Sequence, residues 1–317
     1  MAQTFNPEHV LLSETIGQTI SSAPFTTEFL ARLAADSLVA QLGERVEMSA
    51  LMERKSSGAG ELSDAYFVGE GEKIGTAIVE GEDYVLEAKK LAVILPVTEE
   101  ALSFSWQRYF DDVLPLIVDK FNKKINGAAF LGLYGNPFGN NVLSAATEAG
   151  NVIDAPLDAG AIYDLETVTE NEINAFVGHR TIGRQLRGVV DANTNEYIFD
   201  RPTSPTGVGS LDGLPYAQLQ LENGATFPEG TLLAGNFNNL KYGLPAGTSL
   251  RLKISDQATL SKVQNDGPDS GDVHMFEQDM QALRATFMIA VAIPKNADFA
   301  ALNFTEGEET EGEVPEA

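Results

Sequence analysis

Between Ser56 and Glu87 the chain reads SSGAGELSDAYFVGEGEKIGTAIVEGEDYVLE. Glycine recurs at positions 58, 60, 69, 71, 75 and 81, and eight acids lie between Glu61 and Glu87 against one base, Lys73. The large apolar residues are few, among them Tyr66, Phe67 and Val68, then Ile74, Ile78, Val79, Tyr84 and Val85. The pattern predicts two strands and a long, flexible tip with almost nothing from which to build a core. An isolated two-stranded ribbon is marginal in water. Such a ribbon needs a cover, and the expected cover is another subunit. The chain therefore reads first as an assembly protein and only second as an enzyme.

The totals agree. A chain of 317 residues, 43% of them hydrophobic, has room for roughly two domains. No apolar run approaches the ~20 residues that span a bilayer, and the opening MAQTFNPEHV lacks the basic and apolar regions of a secretory signal. The absence of cysteine excludes disulfides, thiolate catalysis and zinc–thiolate sites and fits a reducing cytoplasm. A formal charge of −25 argues against phosphate binding through clustered bases and against anionic membranes. Acid keeps such a protein soluble. It also makes a wall that does not adhere to polyanions packed beside it.

Along the chain, residues 1–25 are polar and form an arm or a short amphipathic helix. Thr26–Glu44 has helical periodicity, ending near Gly43. After the ribbon, Leu91, Val93, Leu95 and Val97 alternate onto one strand face, and Pro96 suggests an edge. Thr98 stands as an N-cap, with Glu99 and Glu100 favouring the positive helix start. Leu102, Trp106, Phe110, Val113, Ile117, Phe121, Ile125 and Ala128 then mark one stripe of a very long helix, which Pro115 should kink. Such a helix needs a sheet lying along it. Gly132–Gly139 is a break, residues 140–165 suggest loop, and Glu166–Ala175 and Thr181–Val190 suggest helices with a turn at Gly178. Short strands follow to about residue 260. In MQALRATFMIAVAIP, residues 280–294, both faces are apolar, as in a central strand; its natural partner is 91–97. Residues 305–317 carry six glutamates and no base and suggest a disordered tail.

No catalytic constellation is apparent. His9, His179 and His274 are far apart. Gly69-x-Gly71 and Gly207-x-Gly209 lack the third glycine of a dinucleotide loop. The stretch beginning at Asp191 opens like a calcium loop but has Glu196 where glycine is needed and Pro202 where the bidentate glutamate is needed. No enzyme activity, cofactor or metal is expected.

The order of arm, acidic ribbon, strand, long helix, mixed region and late apolar strand resembles the major capsid proteins of tailed bacteriophages, with the Hong Kong 97 fold. Three stretches carry the resemblance: AYFVGEGEKI leading into EAKKLAVILPVTEEAL, then GHRTIGRQLRGVVDANTNEYIF, then NFNNLKYGLPAGTSLRLKISDQ with MFEQDMQALRATFMIAVAIP. The resemblance implies an α+β chain divided into an N-terminal arm (1–25), a peripheral domain (26–55, 87–130 and 261–305) with a long spine helix, an extension loop (56–86), an axial domain (131–260) and an acidic tail (306–317). It implies hexamers and pentamers closing into an icosahedral head around double-stranded DNA, without sequence-specific binding, in a virion assembled in the host bacterial cytoplasm. The residues it places at inter-subunit contacts are Tyr66, Phe67, Glu70, Glu72, Lys73, Ile74, Glu80 and Asp83. Those it places in the spine-helix core are Trp106, Phe110, Ile117 and Phe121.

The short arm after Met1 suggests a separate scaffolding protein, beside a portal and decoration proteins. Some members of the family cross-link a loop lysine to a peripheral-domain asparagine. Lys73 suits the first role, but no asparagine stands near Asp279, so no cross-link is expected. An encapsulin-type compartment shell shares the fold and stands as the alternative; a non-viral surface-binding protein is a more distant one. The ribbon's acids are expected to face bases of a neighbour, such as Arg180, Arg184, Arg187 or those at Lys120–Lys124.

Overall fold

The computed structural model describes residues 32–33, 35–56, 65–76, 83–191, 196–200, 209–222, 230–246, 250–260 and 273–304, with side chains except at 101–111, 250, 252, 254 and 273. The arm at 1–25, the tail at 306–317, Glu80, and the side chains of Trp106 and Phe110 therefore lie outside the described residues.

In chain order the main elements are α1 (Leu38–Leu42), β1 (Glu44–Met48), β2 (Met52–Ser56), β3 (Asp83–Glu87), β4 (Lys89–Thr98) and α2 (Glu99–Leu131). There follow α3 (Val142–Ala149), β5 (Val152–Asp154), α4 (Ala159–Val168), β6 (Ala175–His179) and α5 (Arg180–Gln185). The rest is strand: β7 (Phe199–Asp200), β8 (Gly209–Leu211), β9 (Leu214–Leu219), β10 (Thr231–Gly235), β11 (Lys241–Pro245), β12 (Leu250–Ser255), β13 (Thr259–Leu260), β14 (Val273–His274), β15 (Met280–Ala292) and β16 (Phe299–Asn303).

β15 organises the first sheet. Its residues 282–287 have antiparallel partners on both edges, β4 on one and β12 on the other. This is the central position that its two apolar faces predict, and Leu283, Ala285, Phe287, Ile289 and Val291 are all buried. Leu95 lies opposite Leu283, Val93 opposite Ala285 and Leu91 opposite Phe287. Among the described residues β4 pairs only with β15, an edge position that tolerates Pro96. The far end of β15 pairs with β11, and β1 adds to β11 in parallel.

The 33 residues of α2 extend about 50 Å at 1.5 Å per residue. The helix continues through Pro115, whose ring leaves the carbonyl of residue 111 without its usual donor. Thr98 occupies the N-cap position, but its side chain makes no capping bond. The carbonyl of Asp279 accepts the Glu99 N–H instead, at 3.0 Å. Ile117, Phe121, Ile125 and Ala128 are buried as the stripe predicts, and the Phe121 ring stacks on Phe287 with centroids 6.3 Å apart. The helix thus lies on the β4–β15 pair. It stops at Gly132, which takes the left-handed conformation (φ 65°) that glycine adopts without a Cβ penalty.

The second sheet has seven strands in the order β5-β16-β10-β6-β9-β8-β7. Its centre is buried throughout: every residue of β10 is buried, as are Phe176, Val177, Phe299, Ala300, Ala301 and Leu302. Phe237 joins it to the end of α2 through edge contacts with Phe130 and Phe299.

Several local expectations need correction. The helix expected over 26–44 is broken at Ser37, which is extended, so α1 begins at Leu38. Part of the loop expected at 140–165 is α3, held by a capping box in which Asn141 Oδ1 accepts from Ser144 N–H and Ser144 Oγ from Asn141 N–H. The helix expected at 166–175 lies earlier, at 159–168. Gly178 is not a turn but part of β6; glycine is needed there because a Cβ would sit 2.7 Å from the Tyr216 hydroxyl. Each of the two larger sheets draws its strands from distant parts of the chain. β11 and β12 belong with β15, while β16 belongs with β5 and β10.

Candidate assembly surface

The ribbon begins as an antiparallel pair, β2 with β3, in which Met52 faces Glu87, Arg54 faces Val85 and Ser56 faces Asp83. Alternation gives it two unlike faces. Tyr84 and Leu86 point inward and are buried with Met48 and Ala290 in a small second core. Gly243 makes room there: a Cβ on it would meet Met48 Sδ at 2.4 Å. Met52 and Val85 on the other face are 63% and 46% exposed. The base of the ribbon is thus seated on its own subunit, where the sequence suggested almost nothing from which to build a core.

Polar contacts fix this base. Glu53 Oε1 accepts the N–H groups of Ser49 and Ala50 at 2.7 and 2.9 Å, and also the Ser49 hydroxyl. Lys55 pairs with the other oxygen at 2.8 Å. Lys55 above all, then Ser49, pull the Glu53 carboxyl down to about 2. Burial pushes the Tyr84 phenol upward, with Glu44 adding to the shift. Arg54 holds Asp83 at 3.0 Å, so Asp83 has an ion-pair partner within its own chain.

Beyond the base, residues 65–76 form the tip. The turn Gly69–Glu72 closes on itself: the Glu72 N–H reaches the Gly69 carbonyl at 3.2 Å, and Glu72 Oε2 accepts the Gly69 N–H at 3.2 Å. Gly71 supplies the required positive φ of 85°. The Tyr66 ring lies against Gly75 on the opposite limb. Glu70, Glu72 and Lys73 are exposed. Phe67 is fully exposed and Ile74 is 80% exposed.

The bases expected opposite the ribbon divide into two groups. Lys120 and Lys124 both reach Glu222, at 3.4 and 2.7 Å, and Lys123 reaches Asp119 at 2.7 Å. They already have partners within the chain. Arg180, Arg184 and Arg187 follow at helical spacing along α5 and the 3-10 turn Leu186–Gly188, and all three are exposed.

Among the described residues no helix is long and apolar enough to cross a membrane. Nor do they contain a group of three or more His, Cys, Asp or Glu able to hold a metal.

Residues 17–304 match the Phage capsid family. The chain belongs to this family. It is 36% identical over 303 residues to the major capsid protein of Staphylococcus phage 80alpha, covering 95% of this chain and 89% of that one. Capsid-family structures give the same architecture. The structure from Microbacterium phage Oxtober96 aligns with a TM-score of 0.65 at 21% identity, over 85% of this chain and 91% of its own. That from Mycobacterium phage Cain aligns with a TM-score of 0.64 at 20% identity, over 93% and 98%. This capsid-family chain has the Hong Kong 97 fold expected from its order of elements.

Proposed function

We propose that this chain is the structural subunit of a tailed-phage head, a major capsid protein whose copies form hexamers and pentamers that close into an icosahedral shell. The single observation that carries this beyond family membership is the ribbon tip. Fully exposed Phe67 and 80% exposed Ile74 sit on an acidic loop, without cover among the described residues. Exposed apolar groups on a projecting, ordered element mark a contact with another protein, and in a shell that protein is the neighbouring copy. Tyr66, Phe67, Glu70, Glu72, Lys73 and Ile74 are the contact residues at the tip; Asp83 in β3, and Glu80, complete the set.

In this reading α2 and the β4–β15 sheet form the peripheral domain and the seven-stranded sheet the axial domain. The chain performs no catalysis. It encloses double-stranded DNA without reading it, works with a separate scaffolding protein, a portal and possible decoration proteins, and assembles in the host bacterial cytoplasm. A purified particle decides between this reading and a compartment shell. Nuclease-protected double-stranded DNA inside is the expected result; a protein cargo without DNA would overturn it.

A further inference from the structure

The first sheet has two unlike faces. Phe287 stacks on Phe121 of α2, and alternation along a strand turns the residues on either side of Phe287 the opposite way. Where β12, β15 and β4 lie side by side, that outer face presents Lys253, Arg284 and Ile94 in one row and Arg251, Thr286 and Ala92 in the next, with Lys90 beside Met288 beyond them. Lys90, Arg251, Lys253 and Arg284 are all exposed, and Ile94 is 45% exposed. No acid stands on this face of the three strands. The ribbon base covers the part around Ala290.

In a chain with 46 acids against 21 bases, a face of bases alone requires a reason. Lys253 lies directly opposite Arg284, and like charges so placed repel. No ion pair joins any of the four bases to an acid among the described residues. Glu99, Asp279 and Asp256 gather past one end of the rows, where Thr98 pairs with Met280. An anionic partner laid on the face would relieve the repulsion, and the rows set its spacing: two residues along a strand, about 6.8 Å. Three acids at alternate positions of an extended segment have the same spacing. The sequence contains that pattern once, at Glu309, Glu311 and Glu313 in the acidic tail, which lies outside the described residues.

We propose that this face seats residues 309–313 of an adjacent copy, extended along the strands so that the three carboxylates cross the three rows of bases. The inference rests on the shell reading above, which supplies the adjacent copy. Within one copy Glu309 stands at most about 18 Å from Phe304. Retracing β16 and the last six residues of β15 back to Thr286 takes about 17 and 20 Å of extended chain, more than the tail has before Glu309. The contact therefore joins two copies, at a place separate from the ribbon tip.

The test uses full-length chains in isotopically light and heavy forms, co-assembled and treated with a carbodiimide, which joins a carboxylate to a lysine amine in direct contact. Mass spectrometry maps the joined peptides, with electron microscopy on the same particles. The expected result is light–heavy peptides linking Glu309, Glu311 or Glu313 to Lys253 or Lys90, fewer at high salt because exposed charges are screened. Arg251→Gln with Arg284→Gln leaves both lysines in place and should lower that yield at least fivefold. The melting temperature should stay equal or rise, since the repulsion between β12 and β15 is relieved. Closed particles whose tails link only within one copy, only to other lysines, only to another protein, or to nothing would overturn the proposal. So would a yield that the double change leaves untouched. Links that appear only after the particles are emptied of DNA would assign the face to nucleic acid and overturn it equally. The map of the parent chain decides the matter even if the double variant fails to fold. Absence of particles altogether would overturn the shell reading, and this inference with it.

Discussion

The Tyr66 ring lies across the backbone of Gly75: a Cβ built on Gly75 would stand 2.5 Å from the ring. With the Gly69–Glu72 turn, this contact makes the exposed tip a shaped element rather than a loose one. Gly75→Ala should displace the ring and reshape the tip. Because 65–76 lies outside the core, the melting temperature should change little. The fraction of chains entering closed particles, read by sedimentation, should fall severalfold.

Phe67 extends the same reasoning to chemistry. Phe67→Glu removes apolar surface that nothing among the described residues covers. Surface changes of this kind cost less than about 0.5 kcal/mol of folding stability. Urea unfolding should therefore be unchanged within error while shell yield drops at least tenfold. A large loss of stability would show instead that Phe67 packs within its own subunit.

Phe287 is the counter-case. It is fully buried beneath Phe121 at the seam between α2 and β15. Phe287→Ala leaves a cavity there and should cost about 3–5 kcal/mol, seen as a lower urea midpoint in the isolated subunit before any question of assembly arises.

These positions also show what was legible in the sequence. The β4–β15 pair could be read because Leu91, Val93 and Leu95 alternate over enough residues to fix a period, and the run ending at Ile293 is apolar on both faces. The stripe of α2 through Ile117 and Phe121 is equally regular. The seating of the ribbon base was not legible, since Met48, Tyr84, Gly243 and Ala290 come from four distant segments. Gly178 reads as a turn until Tyr216, thirty-eight residues on, is seen to need its space. Helix α3 is only eight residues long, too short for a period to emerge from small side chains.

A pH dependence follows from Glu166 on α4. Burial, then the nearby charge of Asp212, raises its carboxyl above the ordinary value of 4.5, and its Oε1 is buried without a hydrogen-bond partner. The folded state therefore holds this proton more tightly than the unfolded chain. Stability gains from protonation as pH falls through the raised folded value, and the gain is complete below the unfolded value. Glu166→Gln should melt higher than the parent at pH 7, and the difference should vanish toward about pH 4. A variant less stable at neutral pH would contradict this.

The arginines of α5 offer a test of charge across the interface. Lys120 and Lys124 are occupied by Glu222, which leaves Arg180, Arg184 and Arg187 as the exposed bases among those expected from the sequence to face the acidic loop of a neighbour. Changing all three to Glu should depress assembly several-fold, and reversing Glu70 and Glu72 to Lys in the same chain should restore part of it. The effect should weaken with added salt, since exposed charges are screened within about 10 Å at 0.1 M. Failure of the second change to rescue the first would remove the arginines from this interface.

Electron microscopy of the purified full-length protein, alone and co-expressed with a candidate scaffolding protein, with light scattering on the same samples, is the most direct test of the shell reading. Rings of five and six subunits, or closed icosahedral shells, are the predicted result. A monomer that persists at high concentration under both conditions would contradict it.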